Sequence, residues 1–493
     1  MPRRTAVALA VGALLLTGCG TTLPAVKGEV VTGGPPPTTS ATPAAAGDLP
    51  DPDDPAYDVA LSEPVEDSYY PEFGDPGVDA LHYGLSLAWT PAGRTLEGVA
   101  TVILRATADA PSFQLDLGAA LEVSGVLVDG TEVEADHDGD DLVVAAPVVA
   151  DERYVVEVRY AGTPEPVDAP TTRDDFSTSG FTITPSGEAW TMQEPYGAHT
   201  WYPVNDQPAD KALYDFTLSV PSPWVGIANG ELTSRADEAG TTTTQWHLAE
   251  PAASYLTTVA FGDYVDSSNT SSGGTEISYW VPSGSPELAG SLERAADGLD
   301  WLEEILGPYP FDTLGFVVVD SESGMETQTM ITLGDIDYTV SEPVLVHEMA
   351  HHWYGDQVTP SDWRDVWMNE GMAMYLQWMW EAEDAGITID EWLESYADSE
   401  ELAREVSGPP AAYDPGTFGE ANIYFGPAFM WHELREQVGD EAFFRVVRDW
   451  PAARDNGSSD RDDYWAWLEE ETGEELTSFF DAWLLGDDTP PRD

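Results

Sequence analysis

The chain has 493 residues, a formal net charge of −71 and a hydrophobic fraction of 42 %, with 18 Trp and 20 Tyr. That length leaves room for two or three domains, and the aromatic content argues for a folded protein over most of it. Only Lys27 and Lys211 carry ammonium side chains, so the surface should repel nucleic acid and anionic membrane surfaces, which argues against a nucleic-acid partner.

The first residues read as a targeting segment. Arg3-Arg4 form a basic start, and Thr5 to Leu16 is an apolar run too short to span a bilayer. Leu16-Thr17-Gly18-Cys19 resembles the lipobox of bacterial lipoproteins, and Cys19 is the only cysteine. The resemblance implies a signal peptide over 1–19, with Cys19 lipidated after cleavage and the protein held on the extracytoplasmic face of the cell membrane. An ordinary secretory signal with an incidental Cys is the alternative. One cysteine permits no disulfide within the chain. Residues 20–75 are rich in Pro, Thr, Ala, Gly and Asp, as in Pro35-Pro36-Pro37-Thr38-Thr39-Ser40, and this composition predicts a disordered tether.

From 76 to 265 the pattern turns to strands. Tyr83 to Trp89 alternates, and Val99 to Leu104 and Arg153 to Val158 are rich in β-branched residues. Asp129-Gly130, His137-Asp138-Gly139-Asp140 and Asn229-Gly230 punctuate them as turns. The expectation is a mostly antiparallel β domain.

From 266 to 493 helical spacing dominates. Apolar residues from Leu292 to Leu306 recur at helical intervals, and Gly307-Pro308 stops that helix. Phe316 to Val319 reads as a strand. Next comes His347-Glu348-Met349-Ala350-His351, an H-E-x-x-H motif in a chain with only 8 His. On a helix the two His share one face about a turn apart and can grip one metal ion. Glu348 lies where it can take a proton from a metal-activated water. Glu370, which follows His351 after eighteen intervening residues and falls on a second helix, would complete a His2Glu zinc site with one open position. The bland alternative is a buried amphipathic helix with hydrogen-bonded His; the apolar run Val344-Leu345-Val346 fits a buried helix in either case. The remaining segments read as amphipathic helices ending near Trp483.

The motif, together with His352-Trp353-Tyr354-Gly355-Asp356 and Trp367-Met368-Asn369-Glu370-Gly371, resembles the aminopeptidase N-like zinc peptidases of family M1. The likeness extends to Glu194-Pro195, to Trp201-Tyr202-Pro203-Val204-Asn205-Asp206, to Tyr424 and to Gly439-Asp440-Glu441-Ala442-Phe443-Phe444. The resemblance implies a multidomain α+β fold: an N-terminal antiparallel β domain, then a thermolysin-like, mostly helical zinc catalytic domain, without the large C-terminal helical domain of longer members. It implies Zn held by His347, His351 and Glu370, Glu348 as general base, and Tyr424 as donor to the oxyanion. Ser323-Gly324-Met325-Glu326-Thr327 resembles the family's Gly-x-Met-Glu-Asn motif, which implies that Glu326 binds the substrate α-ammonium. The family's second amine anchor, a Gln, falls on Met192 here; Gln193, one position on, is the candidate in its place. Ser323, Thr327 and Gly426-Pro427 also depart from the family pattern.

The function expected is therefore a zinc-dependent aminopeptidase acting on peptide substrates. Two alternatives stay open: a zinc peptidase or hydrolase that needs no free N-terminus, and a cell-surface binding protein without turnover.

Overall fold

The computed structural model describes residues 49–492. Cys19, the expected signal segment and the stretch 20–48 of the expected tether lie outside the described residues.

An eight-stranded sheet opens the fold. Its spatial order is Glu231–Glu238, Thr241–Ala253, Lys211–Pro221, Val78–Thr90, Thr95–Ala106, Arg153–Gly162, Leu121–Val128 and Thr131–Val133. All neighbours are antiparallel except Val78–Thr90 and Lys211–Pro221, which pair in parallel with His82 opposite Leu213. The alternation from Tyr83 to Trp89 has its physical reason here: Tyr83, Leu85, Leu87 and Trp89 are buried on one face. That face packs on a second sheet containing Thr178–Ile183, Ala189–Met192 and Val259–Gly262, with Trp89 against Phe181 and Phe261.

Asp129 and Gly130 both have positive φ and close a tight hairpin between Leu121–Val128 and Thr131–Val133. Asn229-Gly230 does a different job from the turn expected there. It carries the chain from one sheet to the other, and the Asn229 amide donates to the carbonyl oxygens of Leu256 and Gln328. A Cβ on Gly230 would fall 2.0 Å from the His247 carbonyl oxygen, so only glycine fits.

The expected tether needs correction between 49 and 75, where the chain is packed rather than free. Pro55–Ala60 forms a short 3-10 turn capped by the Asp54 carboxylate. Asp67 accepts from the backbone of Tyr69, Tyr70 and Trp363, and Ser68 donates to Asp362. Tyr70 is buried, and its hydroxyl donates to the Pro415 carbonyl. The proline-rich composition masked three aromatic anchors: Tyr69 and Tyr70 reach Tyr413, Pro415 and Phe418 of the helical region, and Phe73 stacks on Tyr196 and His199 within the β domain.

A further, mixed sheet begins at Tyr264–Thr270 and continues through Glu276–Pro282, Thr313–Val319, Ile331–Gly334 and the short edge strand Gly324–Met325. Helices α1 (Ala295–Leu306), α2 (Glu342–Ala350), α3 (Trp367–Ala385) and α4 (Asn422–Val438) share its core, with α1 packed on α2, α2 on α3 and α3 on α4. Gly307, with φ 92°, ends α1 as its sequence suggests. Among the described residues no helix is long and apolar enough to cross a membrane.

Candidate active site and metal centre

Helix α2 carries the H-E-x-x-H motif because its other faces are apolar and buried. Val346 and Met349 press on Gly298 of α1, where an added Cβ would come within 3.0 Å of both side chains. Helix α3 runs beside it and meets α4 at a closer crossing still: a Cβ on Gly371 would sit 2.2 Å from Pro427.

His347, His351 and Glu370 converge. Their Nε2, Nε2 and Oε2 atoms are separated by 3.2, 3.3 and 3.4 Å. Edges of about 3.3 Å are those of a tetrahedral ion with ligand bonds of about 2.0–2.1 Å. His351 Nδ1 faces the Tyr354 carbonyl at 3.1 Å, so that nitrogen carries the proton and Nε2 offers its lone pair. Glu370 Oε2 has no hydrogen-bond partner although it is buried. Burial opposes ionisation of Glu370, yet the neighbouring His351 and His347 hold its carboxyl well below the ordinary carboxylate range. This convergent set of two imidazole nitrogens and one carboxylate oxygen fits zinc.

Glu348 is buried beside the triad, and burial, with Glu326 adding to it, pushes its carboxyl up to about 8. A carboxylate poised near neutrality can both take and return a proton. Tyr424 stands on the first turn of α4, its ring 6.1 Å from that of His347 and nearly parallel to it.

Glu326 and Glu194 face the same space. Glu194, Glu326 and Glu370 each present an oxygen within 4.8 Å of the others. Oε1 of Glu194 and Oε1 of Glu326 are buried without a hydrogen-bond partner. Burial raises both carboxyls above their usual range, with repulsion from Glu326 adding to it at Glu194 and repulsion from Glu370 adding to it at Glu326. A pair of orphaned carboxylates invites a cation with several hydrogen-bond donors, such as an ammonium group.

Gln193 is not in this space, contrary to expectation. It is fully buried in the β domain, where its amide donates to the carbonyls of Ser254 and Thr257 and accepts from the Trp201 indole. Strand alternation explains the difference: Met192 and Glu194 line the cleft, and the residue between them points the other way. Period-two alternation through Met192-Gln193-Glu194 was the available signal for Glu194. Thr327 also turns inward, bonding Met330 and Thr332. Arg173 gave no sequence signal, yet it lines the same cleft of about 340 Å³.

Residues 79–256 match the peptidase M1 N-terminal domain, and residues 291–483 match the peptidase family M1 domain. The probable aminopeptidase 1 of Sulfurisphaera tokodaii is 24 % identical over 77 % of this chain and 50 % of its own length. Aminopeptidase N of Streptomyces lividans is 26 % identical over 83 % of this chain and 50 % of its own. The chain thus spans about half the length of the curated relatives it matches. The M1 zinc metallopeptidase of Deinococcus radiodurans, in a mutant bound to a Tyr-Ser-Ala substrate, superposes with a TM-score of 0.78. It is 26 % identical and covers 87 % of this chain and 99 % of its own.

Proposed function

The chain belongs to peptidase family M1, and on that premise we propose that it is a zinc-dependent aminopeptidase that removes N-terminal residues from peptides. The observation that carries the reading is the orphaned pair Glu194 and Glu326 beside the His347, His351 and Glu370 cluster. An ammonium group held by that pair brings the first peptide carbonyl, and no later one, to the metal ligands. His347, His351 and Glu370 would hold the zinc, which when bound would supply Lewis acidity toward the scissile carbonyl and the attacking water. Glu348 takes the proton from that water and passes it to the leaving amine. The Tyr424 hydroxyl donates to the oxyanion as charge develops there.

A peptidase that needs no free N-terminus is the second reading, and Met192 is the residue that favours it, since a thioether stands where the family has an amide. Aminoacyl-fluorogenic substrates with and without an N-acetyl block separate the two. Cleavage of the free substrates alone, abolished by Glu348→Gln, supports the aminopeptidase. Equal cleavage of both favours the broader peptidase, and no cleavage by the zinc-loaded protein favours a binding protein.

The protein's location is part of the same proposal. The basic start, apolar run and Leu16-Thr17-Gly18-Cys19 support a lipid anchor on Cys19 at the extracytoplasmic face of the cell membrane. Incorporation of labelled palmitate, lost in Cys19→Ala, is the test; a protein that stays unlabelled is secreted by an ordinary signal instead.

A further inference from the structure

We propose that Arg173 is a positioning residue whose guanidinium fixes and polarises the Tyr424 phenol from across the domain boundary. This role rests on the aminopeptidase reading above. Arg173 belongs to the β-domain loop 169–177, whereas Tyr424 stands on α4 of the helical region. Arg173 Nη1 lies 3.5 Å from the phenol oxygen.

The guanidinium is built in. Its Nε and Nη2 donate to the two oxygens of Asp175 at 3.2 and 2.7 Å. Nη1 also donates to the Gly419 carbonyl at 2.9 Å. The loop carrying it is pinned to the segment before α4. The Phe418 N–H donates to the Pro170 carbonyl at 2.8 Å, and the Thr172 hydroxyl donates to the Glu420 carboxylate. With Nε and Nη2 turned to Asp175, the fork aims Nη1 at Tyr424.

An arginine has no acceptor, so between Nη1 and the phenol the nitrogen must donate to an oxygen lone pair. The phenol hydrogen cannot then turn toward Arg173, and it is left for the cleft. A positive charge beside the oxygen also strengthens the hydrogen bond that the hydroxyl donates onward. The 3.5 Å separation is long for such a bond, and catalytic contacts of this kind shorten when the oxyanion forms. Among the described residues lining the cleft, Arg173 is the one Lys or Arg, set against seven Asp and Glu. Asp175 fixes the direction of the fork, so the polarising charge is held at the phenol oxygen. Lysine offers a point charge on a flexible stem and reproduces only part of this.

The test is a double-mutant cycle in the full-length protein with a free aminoacyl-fluorogenic substrate, with zinc content and melting temperature measured for each variant. Arg173→Gln should lower kcat about 10- to 100-fold and leave KM within about threefold. In a Tyr424→Phe background the same change should lower kcat by less than about twofold, because the group it acts through is gone. Arg173→Lys should recover part of the loss. Equal losses in both backgrounds, or a change confined to KM, would overturn the role. Should Arg173→Gln melt early or lose zinc, Asp175→Asn takes its place in the cycle, loosening the fork while keeping the charge, with the same two outcomes. A wild type with no turnover on any peptide overturns the aminopeptidase reading and this role with it. Turnover with an additive cycle overturns the role alone.

Discussion

Gly324 lies so close to Glu348 that a Cβ there would fall 2.9 Å from the carboxylate oxygen Oε1 and 3.3 Å from Leu333. The edge strand Gly324–Met325 therefore does two jobs: Gly324 walls the proposed base, and Glu326, just beyond the strand, faces the amine space. This contact, and not the backbone angle, is what favours glycine here, since its φ is not in the left-handed region. Gly324→Ala should push the Glu348 carboxylate off its position. The expected result is a drop in kcat of about tenfold or more with zinc content and unfolding midpoint nearly unchanged. An unaltered kcat would mean that the base has room to spare.

Glu194 and Glu326 should share the binding of the substrate ammonium. A charge-assisted hydrogen bond in a buried site is worth about 1.5–3 kcal/mol, or about 10- to 100-fold. Glu194→Gln and Glu326→Gln should each reduce kcat/KM for free aminoacyl substrates by that factor. An N-acetylated substrate, already poor, should be cleaved no worse by either variant. Equal losses on free and blocked substrates would show that the two carboxylates serve the reacting bond instead.

Gln193 should matter for stability and not for substrate. Removing its amide leaves the buried carbonyls of Ser254 and Thr257 and the Trp201 indole short of partners. Orphaned buried groups cost about 1–3 kcal/mol each, partly relieved by relaxation. Gln193→Ala should lower the denaturant midpoint by an amount equivalent to about 2–4 kcal/mol, while KM of the folded enzyme stays within about twofold. A raised KM for free substrates alone would return Gln193 to the amine site.

Much of this site could be read before any coordinates. The spacing of His347, His351 and Glu370 is a statement about helix geometry, and helices obey it with little help from the rest of the chain. The β domain was legible for a similar reason, since alternation from Tyr83 to Trp89 is forced on any half-buried strand. What could not be read depends on contacts between distant segments. Arg173 reaches Tyr424 only because residues 417–420 dock on loop 169–177. The packed stretch 49–75 looked unstructured because composition registers Pro and Asp, and not the partners that Asp67 and Tyr70 find at Trp363 and Pro415. Asn229-Gly230 looked like a hairpin for the same reason; the turn chemistry was right, but the strands it joins lie in different sheets.

Zinc should hold α2 and α3 together as well as support turnover, because the His ligands come from the end of the first and the Glu ligand from the start of the second. Chelation should therefore abolish activity and lower the melting temperature, and stoichiometric zinc should restore both. Glu370→Gln should weaken zinc binding and show the lower melting temperature without chelator. Full activity after exhaustive chelation, with metal analysis confirming removal, would rule out a zinc-dependent reaction.

Asp116 should make stability depend on pH in a direction opposite to most carboxylates. It is fully buried, and burial, with repulsion from Asp206 adding to it, pushes its carboxyl up to about 7 from the ordinary 3.8. The folded state thus holds this proton more tightly than the unfolded chain does. Its contribution is fully present below about pH 3.8 and is lost as pH rises to about 7, beyond which the penalty is constant. A shift of this size corresponds to a few kcal/mol at most, on the order of 1.4 kcal/mol per unit. The Asp116 oxygen accepts from the backbone N–H groups of Gly74 and Asp206, and an asparagine carbonyl oxygen can accept the same two bonds. Asp116→Asn should therefore raise the unfolding midpoint at pH 8, and the gain should shrink steadily as pH falls toward 4. Denaturant melts of both proteins across that range decide it: a gain that does not change with pH would mean that Asp116 is ionised throughout, its charge carried by the two N–H donors and by nearby His199.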